Sequence, residues 1–117
     1  MSNITAELHE LIAFFEVDPK FQYPGDPWPY TDTLFEAQMG GLSINFAIQP
    51  AYKDVRIQMK NDGNVIYEFN GTGIEDVRYY SEKSGERLEC VISDLQVISI
   101  WMKPMVRISE RFTNNSE

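Results

Sequence analysis

Residues 42–60 read LSINFAIQPAYKDVRIQMK, and their pattern is the clearest indication of the fold class. From Leu42 to Ile48, apolar side chains alternate with small or polar ones, and the same period-two pattern returns from Val55 to Lys60. Successive side chains of a β-strand point to opposite faces, so this alternation is typical of a strand with one buried face. The stretch therefore predicts two consecutive half-buried strands.

Turn residues and further alternation extend this pattern toward the C-terminus. Asn61-Asp62-Gly63 contains residues that tolerate positive φ, which predicts a hairpin leading into the next strand. The strands predicted beyond this turn cover residues 64–70, 74–82, 87–92, 96–102 and 105–112. Because the connections are short, neighbouring strands are expected to be antiparallel. Residues 33–112 are therefore predicted to form one largely meandering antiparallel sheet of about six or seven strands.

The strand predicted over 96–102 differs from the others because both of its faces are apolar. This composition predicts a central strand that is covered on both sides. The N-terminal helix would supply one covering layer, and the proline-rich segment after it, or a curl of the sheet, would supply the other. The polar residues 113–117 are expected to fray.

The N-terminal residues 4–16 follow a helical rather than a strand periodicity. Their apolar members, Ile4, Leu8, Leu11, Ile12 and Phe15, form one stripe along a helix. Ser2, Asn3 or Thr5 could cap its start, and Asp18-Pro19 would end it because the residue before a proline avoids the α region. The 117 residues are thus expected to form a single α+β domain in which a helix precedes the sheet.

Residues 18–32 join the helix to the sheet and combine four prolines with aromatic side chains. The aromatic residues are Phe21, Tyr23, Trp28 and Tyr30. Proline restricts the backbone and aromatic rings can fasten the segment to the core, so an ordered loop is expected. The same rings beside Asp18, Asp26 and Asp32 have the composition of a protein-binding hot spot. The two roles are compatible if Trp28 packs inward while the acids stay outside.

The charge of the chain is concentrated near its N-terminus. The first 50 residues hold seven acids and one base, Lys20, whereas the remaining 67 residues hold eleven acids and nine bases. Six of the eight net negative charges therefore lie in the first 50 residues. Such a field repels nucleic-acid phosphates and anionic membranes, which argues against both as partners. A basic protein is the electrostatically favoured partner.

No combination of residues in the sequence indicates catalysis, a metal site or a cofactor. Cys90 is the single cysteine and shares a predicted strand face with Leu88 and Ile92, so a buried, inert thiol is expected. His9 is the single histidine, and one cysteine with one histidine provides too few soft ligands for zinc. The acids lack the spacing of a calcium-binding loop, and no glycine-rich phosphate-binding loop is present. The chain is therefore predicted to be non-enzymatic and to need no cofactor.

The sequence also indicates where the protein acts. A single cysteine cannot form an internal disulfide, which is typical of a reducing compartment. The N-terminus lacks the basic and apolar regions of a signal peptide, and no apolar run reaches the ~18 residues of a membrane span. A cytoplasmic location is expected.

The overall pattern resembles the small cytosolic immunity proteins of bacterial toxin systems, including those of contact-dependent growth inhibition. The resemblance rests on the helix over 4–16, the acidic aromatic loop over 18–32 and the sheet that ends with Val97–Ile108. Many such proteins are acidic α+β chains of similar length. The resemblance implies that the chain binds one cognate toxin non-covalently, in a 1:1 complex, and neutralises it. The toxin is often a nuclease with a basic cleft, and an acidic field would accelerate their encounter.

The surface predicted to bind this toxin covers the end of the helix and the loop after it. Its predicted contact residues are Glu16, Asp18, Tyr23, Asp26, Trp28, Tyr30 and Asp32. Two other functions stay open at this point. A small-molecule-binding domain would hold an apolar ligand against Trp28, Trp101 and Phe46. A homo-oligomeric adaptor subunit would associate through an exposed edge strand.

Overall fold

In the computed structural model, which describes residues 4–28 and 30–112, one helix precedes nine strands. The helix, α1, spans Leu8–Phe15. The strands are β1 Lys20–Phe21, β2 Thr33–Met39, β3 Leu42–Gln49, β4 Asp54–Asn61, β5 Asn64–Gly71, β6 Asp76–Glu82, β7 Gly85–Ser93, β8 Gln96–Trp101 and β9 Arg107–Phe112. A short 3-10 turn, Pro50–Tyr52, connects β3 to β4.

The strands form two antiparallel sheets rather than the single sheet that the sequence predicted. The first sheet has the order β1-β2-β3-β4-β5 and the second has the order β6-β7-β8-β9. The α+β class and the antiparallel meander are confirmed, but the count of six or seven strands in one sheet is wrong. The chain leaves the first sheet at residues 72–75, where Gly73 adopts a φ of +70° and β6 begins a new sheet instead of pairing with β5.

Helix α1 is shorter than the apolar stripe that predicted it. Glu7 caps its start, because Glu7 N–H donates to Glu10 Oε1 at 2.9 Å in a capping box. The helix ends at Glu16, which is left-handed with a φ of +58°. The predicted start at residue 4 with a Thr5 cap is wrong, because Thr5 and Ala6 bind the second sheet instead: Thr5 N–H donates to the Asp76 carboxylate at 2.6 Å, and Ala6 N–H donates to Val77 O at 2.8 Å. The other two predicted caps, Ser2 and Asn3, lie outside the described residues.

One hydrophobic core receives side chains from the helix and from both sheets. The Phe15 ring stacks on Phe35 with 5.2 Å between centroids and lies 5.3 Å from the Phe46 ring, which joins α1 to the first sheet. The Phe14 ring meets Tyr79 of β6 edge-on at 6.3 Å, which joins the same helix to the second sheet. The helix therefore holds the two sheets together through adjacent phenylalanines on one turn.

Strand β8 lies between β7 and β9, as predicted for a central strand. Ile98 and Ile100 are fully buried on its inner face. On the outer face Val97 and Trp101 are only half-buried, and the guanidinium of Arg107, from the neighbouring strand, covers Trp101. The prediction that a second layer covers this face is therefore wrong. Apolar side chains on that face are shielded by long side chains of the same sheet instead.

The edge strands of the two sheets differ in whether other residues cover them. Residues 4–6 cover the β6 edge, whereas β5 and β9 are the far edges of their sheets. Tyr67 O–H of β5 donates to Glu110 Oε1 of β9 at 3.2 Å, so a polar contact joins the two far edges. Burial and the neighbouring Glu110 carboxylate raise the pKa of Tyr67, which keeps the phenol protonated as a donor.

No helix among the described residues has the length and apolar composition that a membrane span requires.

Candidate partner-binding surface

One end of the first sheet gathers the proline-rich loop and the turn between β3 and β4. Thr33, at the start of β2, pairs with Ile48 near the end of β3, so residues 22–28, 30–32 and 50–53 project from the same end. Three tyrosines are exposed there: Tyr23 at 58%, Tyr30 at 56% and Tyr52 at 66%. We call the surface formed by residues 22–28, 30–32 and 50–53 the tyrosine end.

The backbone of the loop is fixed by hydrogen bonds, as the sequence predicted for an ordered segment. Gln22 N–H donates to Asp32 O at 2.9 Å, and Tyr23 N–H donates to the hydroxyl of the buried Thr31 at 2.9 Å. The side-chain amide of Gln49, on β3, donates to Tyr30 O at 3.3 Å. A loop that is already ordered loses little conformational entropy when a partner binds, so its exposed rings are preorganised for contact.

Trp28 differs from the tyrosines of the same loop. Its side chain is half-buried and packs against the hydrophobic core. Trp28 therefore holds the loop against the core, as expected from the sequence, while the Tyr23 and Tyr30 side chains stay exposed. Tyrosine rings offer large amphipathic contact area with few rotatable bonds, which is why they are frequent at protein interfaces.

Tyr52 belongs to this surface although it is not among the contact residues predicted from the sequence. It lies in the 3-10 turn that follows Pro50, between two strands. A local signal was available, because an aromatic side chain in a tight turn belongs to neither face of the adjoining strands. Its ring adds to the aromatic area that the loop presents.

The acids of the tyrosine end are only partly free. Asp32 forms an ion pair with Arg56 of β4, and Asp54 lies 3.8 Å from the same guanidinium. The hydroxyl of Thr72 also donates to Asp54 at 3.0 Å. Within the described residues, the Asp26 carboxylate makes no ion pair or side-chain hydrogen bond. Asp26 is thus the acid of this surface that is most available to a basic partner.

Two of the seven predicted contact residues lie away from the tyrosine end. Glu16, at the end of α1, pairs with Lys103 at 2.5 Å and lines a depression together with Met39, at the far end of β2. The seven residues of β2 separate that position from the tyrosine end by roughly 20 Å. Asp18 lies just before β1, along the edge between the two ends. The other five predicted residues, Tyr23, Asp26, Trp28, Tyr30 and Asp32, are brought together.

A shallow depression of about 210 Å³ lies on the outer face of the first sheet. Its lining residues are Leu34, Asn45, Ala47, Arg56, Ile57, Gln58, Glu68 and Asn70. Arg56 connects this depression to the tyrosine end through its ion pair with Asp32. Five of the eight lining residues are polar or charged, which suits a partner's polar side chain better than an apolar small molecule.

The apolar pocket considered as an alternative is not formed by the residues proposed for it. Phe46 is fully buried in the core, Trp101 lies on the outer face of the second sheet, and Trp28 packs at the loop. The three aromatic rings therefore do not face a common cavity. The reason is positional: strand alternation sends Phe46 inward and Trp101 outward from different sheets.

The single cysteine and the single histidine lie in unrelated environments. Cys90 is fully buried on β7, and burial, with a smaller effect of Glu89, raises the pKa of its thiol to about 12. His9 is exposed on α1, with its ring 3.5 Å from Glu7. Among residues 4–28 and 30–112, no group of three or more histidine, cysteine, aspartate or glutamate side chains is placed to hold a metal ion.

Comparisons with known proteins show similarity at the level of structure. No protein-family model matches the chain, and no curated protein sequence matches it. Among solved structures, the chain is similar to a chain of the contact-dependent growth inhibition toxin–immunity protein complex from Klebsiella pneumoniae 342. The match has a TM-score of 0.78 at 19% identity and covers 97% of this chain and 100% of that chain. The resemblance to contact-dependent growth inhibition proteins is therefore confirmed at the level of the fold.

Proposed function

We propose that this chain is an immunity protein that binds a cognate toxin non-covalently, in a 1:1 complex, and neutralises it in the bacterial cytoplasm. The observation that carries this proposal is the fold shared over the whole chain with a chain of a toxin–immunity protein complex. Near-complete coverage of both chains means that the shared fold includes both sheets and the helix that joins them.

The chemistry of the chain favours the immunity side of such a complex over the toxin side. A toxin enzyme needs a nucleophile, an acid–base pair or a metal in an accessible cleft. Here the thiol of Cys90 is buried with a raised pKa, and His9 is exposed beside Glu7 alone. The formal charge of −8 also suits a protein that binds a basic nuclease better than a protein that binds nucleic acid itself.

The tyrosine end is the surface we assign to toxin binding. Tyr23, Tyr30 and Tyr52 would supply the contact area, and Asp26 would pair with a basic side chain of the toxin. Asp32 would act with Arg56 as a polar pair at the rim, and Trp28 would hold the loop in place. Glu16 and Asp18 would add to the long-range field without touching the same part of the toxin.

The experiment takes the C-terminal domain of the protein encoded immediately upstream of this chain's gene as the candidate toxin, purifies it in a catalytically inactive form and titrates it with this chain. The test variants are the triple substitution Y23A/Y30A/Y52A and the double reversal D26K/D32K. The control is the double reversal D62K/E82K, which makes the same change in net charge on two hairpin ends away from the tyrosine end. Circular dichroism of each variant establishes that it is folded.

Each test variant is expected to weaken binding by more than tenfold, or about 1.4 kcal/mol, while the control stays within about threefold of the wild type. Tight binding by both folded test variants would show that the toxin uses another surface. If the wild-type chain does not bind the toxin domain or protect against it, the immunity function itself is wrong.

A further inference from the structure

Four of the five arginines of this acidic chain project from one face of the second sheet. They are Arg78 on β6, Arg87 on β7, and Arg107 and Arg111 on β9. Cross-strand register places them opposite Glu89, Tyr80, Trp101 and Val97, whose side chains share that face. The inward-facing residues of the same strands, such as Cys90 and Ile98, belong to the core. The outer face of the second sheet is thus an arginine-rich surface.

The half of this face that lies on β6 and β7 neutralises its own charge. Arg78 Nε lies 3.0 Å from the Asp76 carboxylate. Arg87 lies 3.1 Å from Glu82 and 3.3 Å from Glu89, and its guanidinium covers the Tyr80 ring at 4.1 Å. Each arginine here has an acidic partner, so this half has little charge to offer to another molecule.

The half on β8 and β9 is different, and we call it the arginine patch. Its residues are Val97, Ser99, Trp101, Arg107, Ser109 and Arg111. The Arg107 guanidinium lies 4.1 Å from the centroid of the Trp101 ring. Neither Arg107 nor Arg111 forms an ion pair or a side-chain hydrogen bond with a described residue. Two guanidinium groups on an edge strand therefore keep their donors available.

The spacing of the two arginines limits what can bind. Arg107 and Arg111 are four residues apart on the same strand face, which corresponds to roughly 13 Å. Guanidinium groups bind carboxylates in a bidentate manner, and arginine beside tryptophan is a frequent composition of interface hot spots. An extended peptide with two acids four residues apart would match both groups and place an apolar side chain near Val97 and Trp101.

A carboxylate ligand fits this surface better than a nucleic acid does. The patch holds only two unpaired positive charges, and Glu89 and Glu82 lie on the same sheet face. A polyanion long enough to bind with useful affinity would extend over a molecule whose formal charge is −8 and would be repelled. A short acidic peptide segment needs the two arginines alone.

We propose that the arginine patch is a second interaction surface that docks an acidic, extended segment of a protein partner. Its two carboxylates bind Arg107 and Arg111, and an apolar side chain between them packs on Trp101. This surface lies on the second sheet, whereas the tyrosine end belongs to the first. The inference therefore does not depend on the proposed toxin-binding function.

The test is a titration of the ¹⁵N-labelled full chain with a synthetic peptide of ten residues that carries glutamates four apart and a leucine between them. Two-dimensional NMR follows the Trp101 indole N–H and the backbone amides of Ser99 and Ser109. The indole peak of Trp101 is distinguished from that of Trp28 with W101F. The variant R107Q/R111Q removes the proposed contacts, and K60Q/K83Q makes the same change in net charge off this face.

We expect saturable shifts confined to the patch, with a dissociation constant that R107Q/R111Q raises about tenfold or more and that K60Q/K83Q leaves within about twofold. Equal binding by R107Q/R111Q, or shifts spread over the whole protein, would overturn the proposal. Tighter binding of a ten-nucleotide single-stranded DNA at the same residues would also overturn it, because the patch would then recognise phosphates. The NMR spectrum of each free variant shows whether its fold is intact.

Discussion

Replacing Asp76 with alanine is expected to lower the free energy of unfolding more than the loss of a single acid usually does. The reason is that the Asp76 carboxylate binds the N-terminal segment to the second sheet. The side chain is 11% exposed. It accepts hydrogen bonds from Thr5 N–H and the Thr5 hydroxyl, both at 2.6 Å, from Val77 N–H at 2.8 Å and from Arg78 Nε at 3.0 Å. Ala6 N–H also donates to Val77 O, so the segment ahead of α1 depends on this contact.

The magnitude follows from what the substitution leaves without a partner. Hydrogen bonds to a charged group contribute about 1.5–3 kcal/mol each, and leaving a buried donor unsatisfied has a similar cost. The four bonds share one carboxylate, and water can reach Thr5 and Arg78, so their losses do not add. We expect D76A to lower the free energy of unfolding by about 3 kcal/mol, or the melting temperature by roughly 15 °C. T5A removes one of the bonds and should cost less than that range, about 1 kcal/mol, because Thr5 is exposed to water.

The contribution of Asp76 should also depend on pH in a defined direction. Burial alone would raise the pKa of its carboxyl, but the hydrogen bonds from Thr5, Arg78 and Val77 lower it below its usual value. A group whose pKa is lower in the folded state than in the unfolded state stabilises the protein above the unfolded pKa of about 3.9. That stabilisation is lost as the pH falls toward the folded pKa, so the difference between wild type and D76A should narrow below about pH 4.

Urea unfolding followed by tryptophan fluorescence measures both effects, at pH 7 and at several values down to pH 3. The control is D94A, because Asp94 is an exposed acid in the turn between β7 and β8. It should change the free energy of unfolding by less than about 0.5 kcal/mol. A cost below about 1 kcal/mol for D76A at pH 7, or a difference that does not narrow in acid, would show that the Asp76 carboxylate does not hold the N-terminal segment on the second sheet.

Two further predictions test the core. F15A should lower the free energy of unfolding by about 4 kcal/mol in thermal or urea denaturation, because it removes a ring packed on Phe35 and Phe46. The control F112A, at a residue that is 68% exposed, should change this free energy little. Similar costs for the two substitutions would show that the Phe15 ring is not a central part of the core. The Cys90 thiol, buried with a pKa raised to about 12, should react with a coloured disulfide reagent at pH 8 only after denaturant is added, whereas rapid reaction in native buffer would show an open route to it.

The central hairpins could be predicted because their signals are local. Alternation over Leu42–Gln49 and Val55–Lys60 identified β3 and β4, and the residues of the following turn adopt the expected left-handed backbone, with φ values of +51° at Asp62 and +85° at Gly63. Here a period-two pattern and a turn with positive φ specify the same hairpin independently.

The division into two sheets could not be predicted in the same way, because no local sequence pattern specifies which strands pair. Nothing in residues 72–75 distinguishes a turn between paired strands from a crossing to another sheet. Residues 4–6 show a related difficulty: Ile4 continues the helical stripe of apolar residues, but its segment lies outside α1 because Asp76, about 70 residues later, binds Thr5. Long-range partners of this kind override the local periodicity.

The candidate surface was predictable in composition but not in its charge. The proline-rich segment does form an ordered loop with two exposed tyrosines, as its residue types indicated. Two of the four predicted acids, however, pair with cations that are distant in sequence: Asp32 pairs with Arg56 of β4, and Glu16 pairs with Lys103, which lies between β8 and β9, 87 residues away. Sequence counts record each acid as a free charge, whereas the fold decides which acids keep a cation beside them.

These ion pairs change how the acidic first 50 residues would contribute to recognition of a partner. An acid that already pairs with a cation of its own chain gains little interaction energy from a basic side chain of a toxin. The net negative charge of the protein still attracts a basic partner over about a Debye length of 8 Å. Steering of this kind changes the association rate, whereas desolvated aromatic contacts determine how slowly a complex dissociates. If the proposed function holds, added salt should therefore slow association and leave dissociation nearly unchanged. The substitution Y23A/Y30A/Y52A should do the reverse, because Tyr23, Tyr30 and Tyr52 carry no charge and form the exposed contact area.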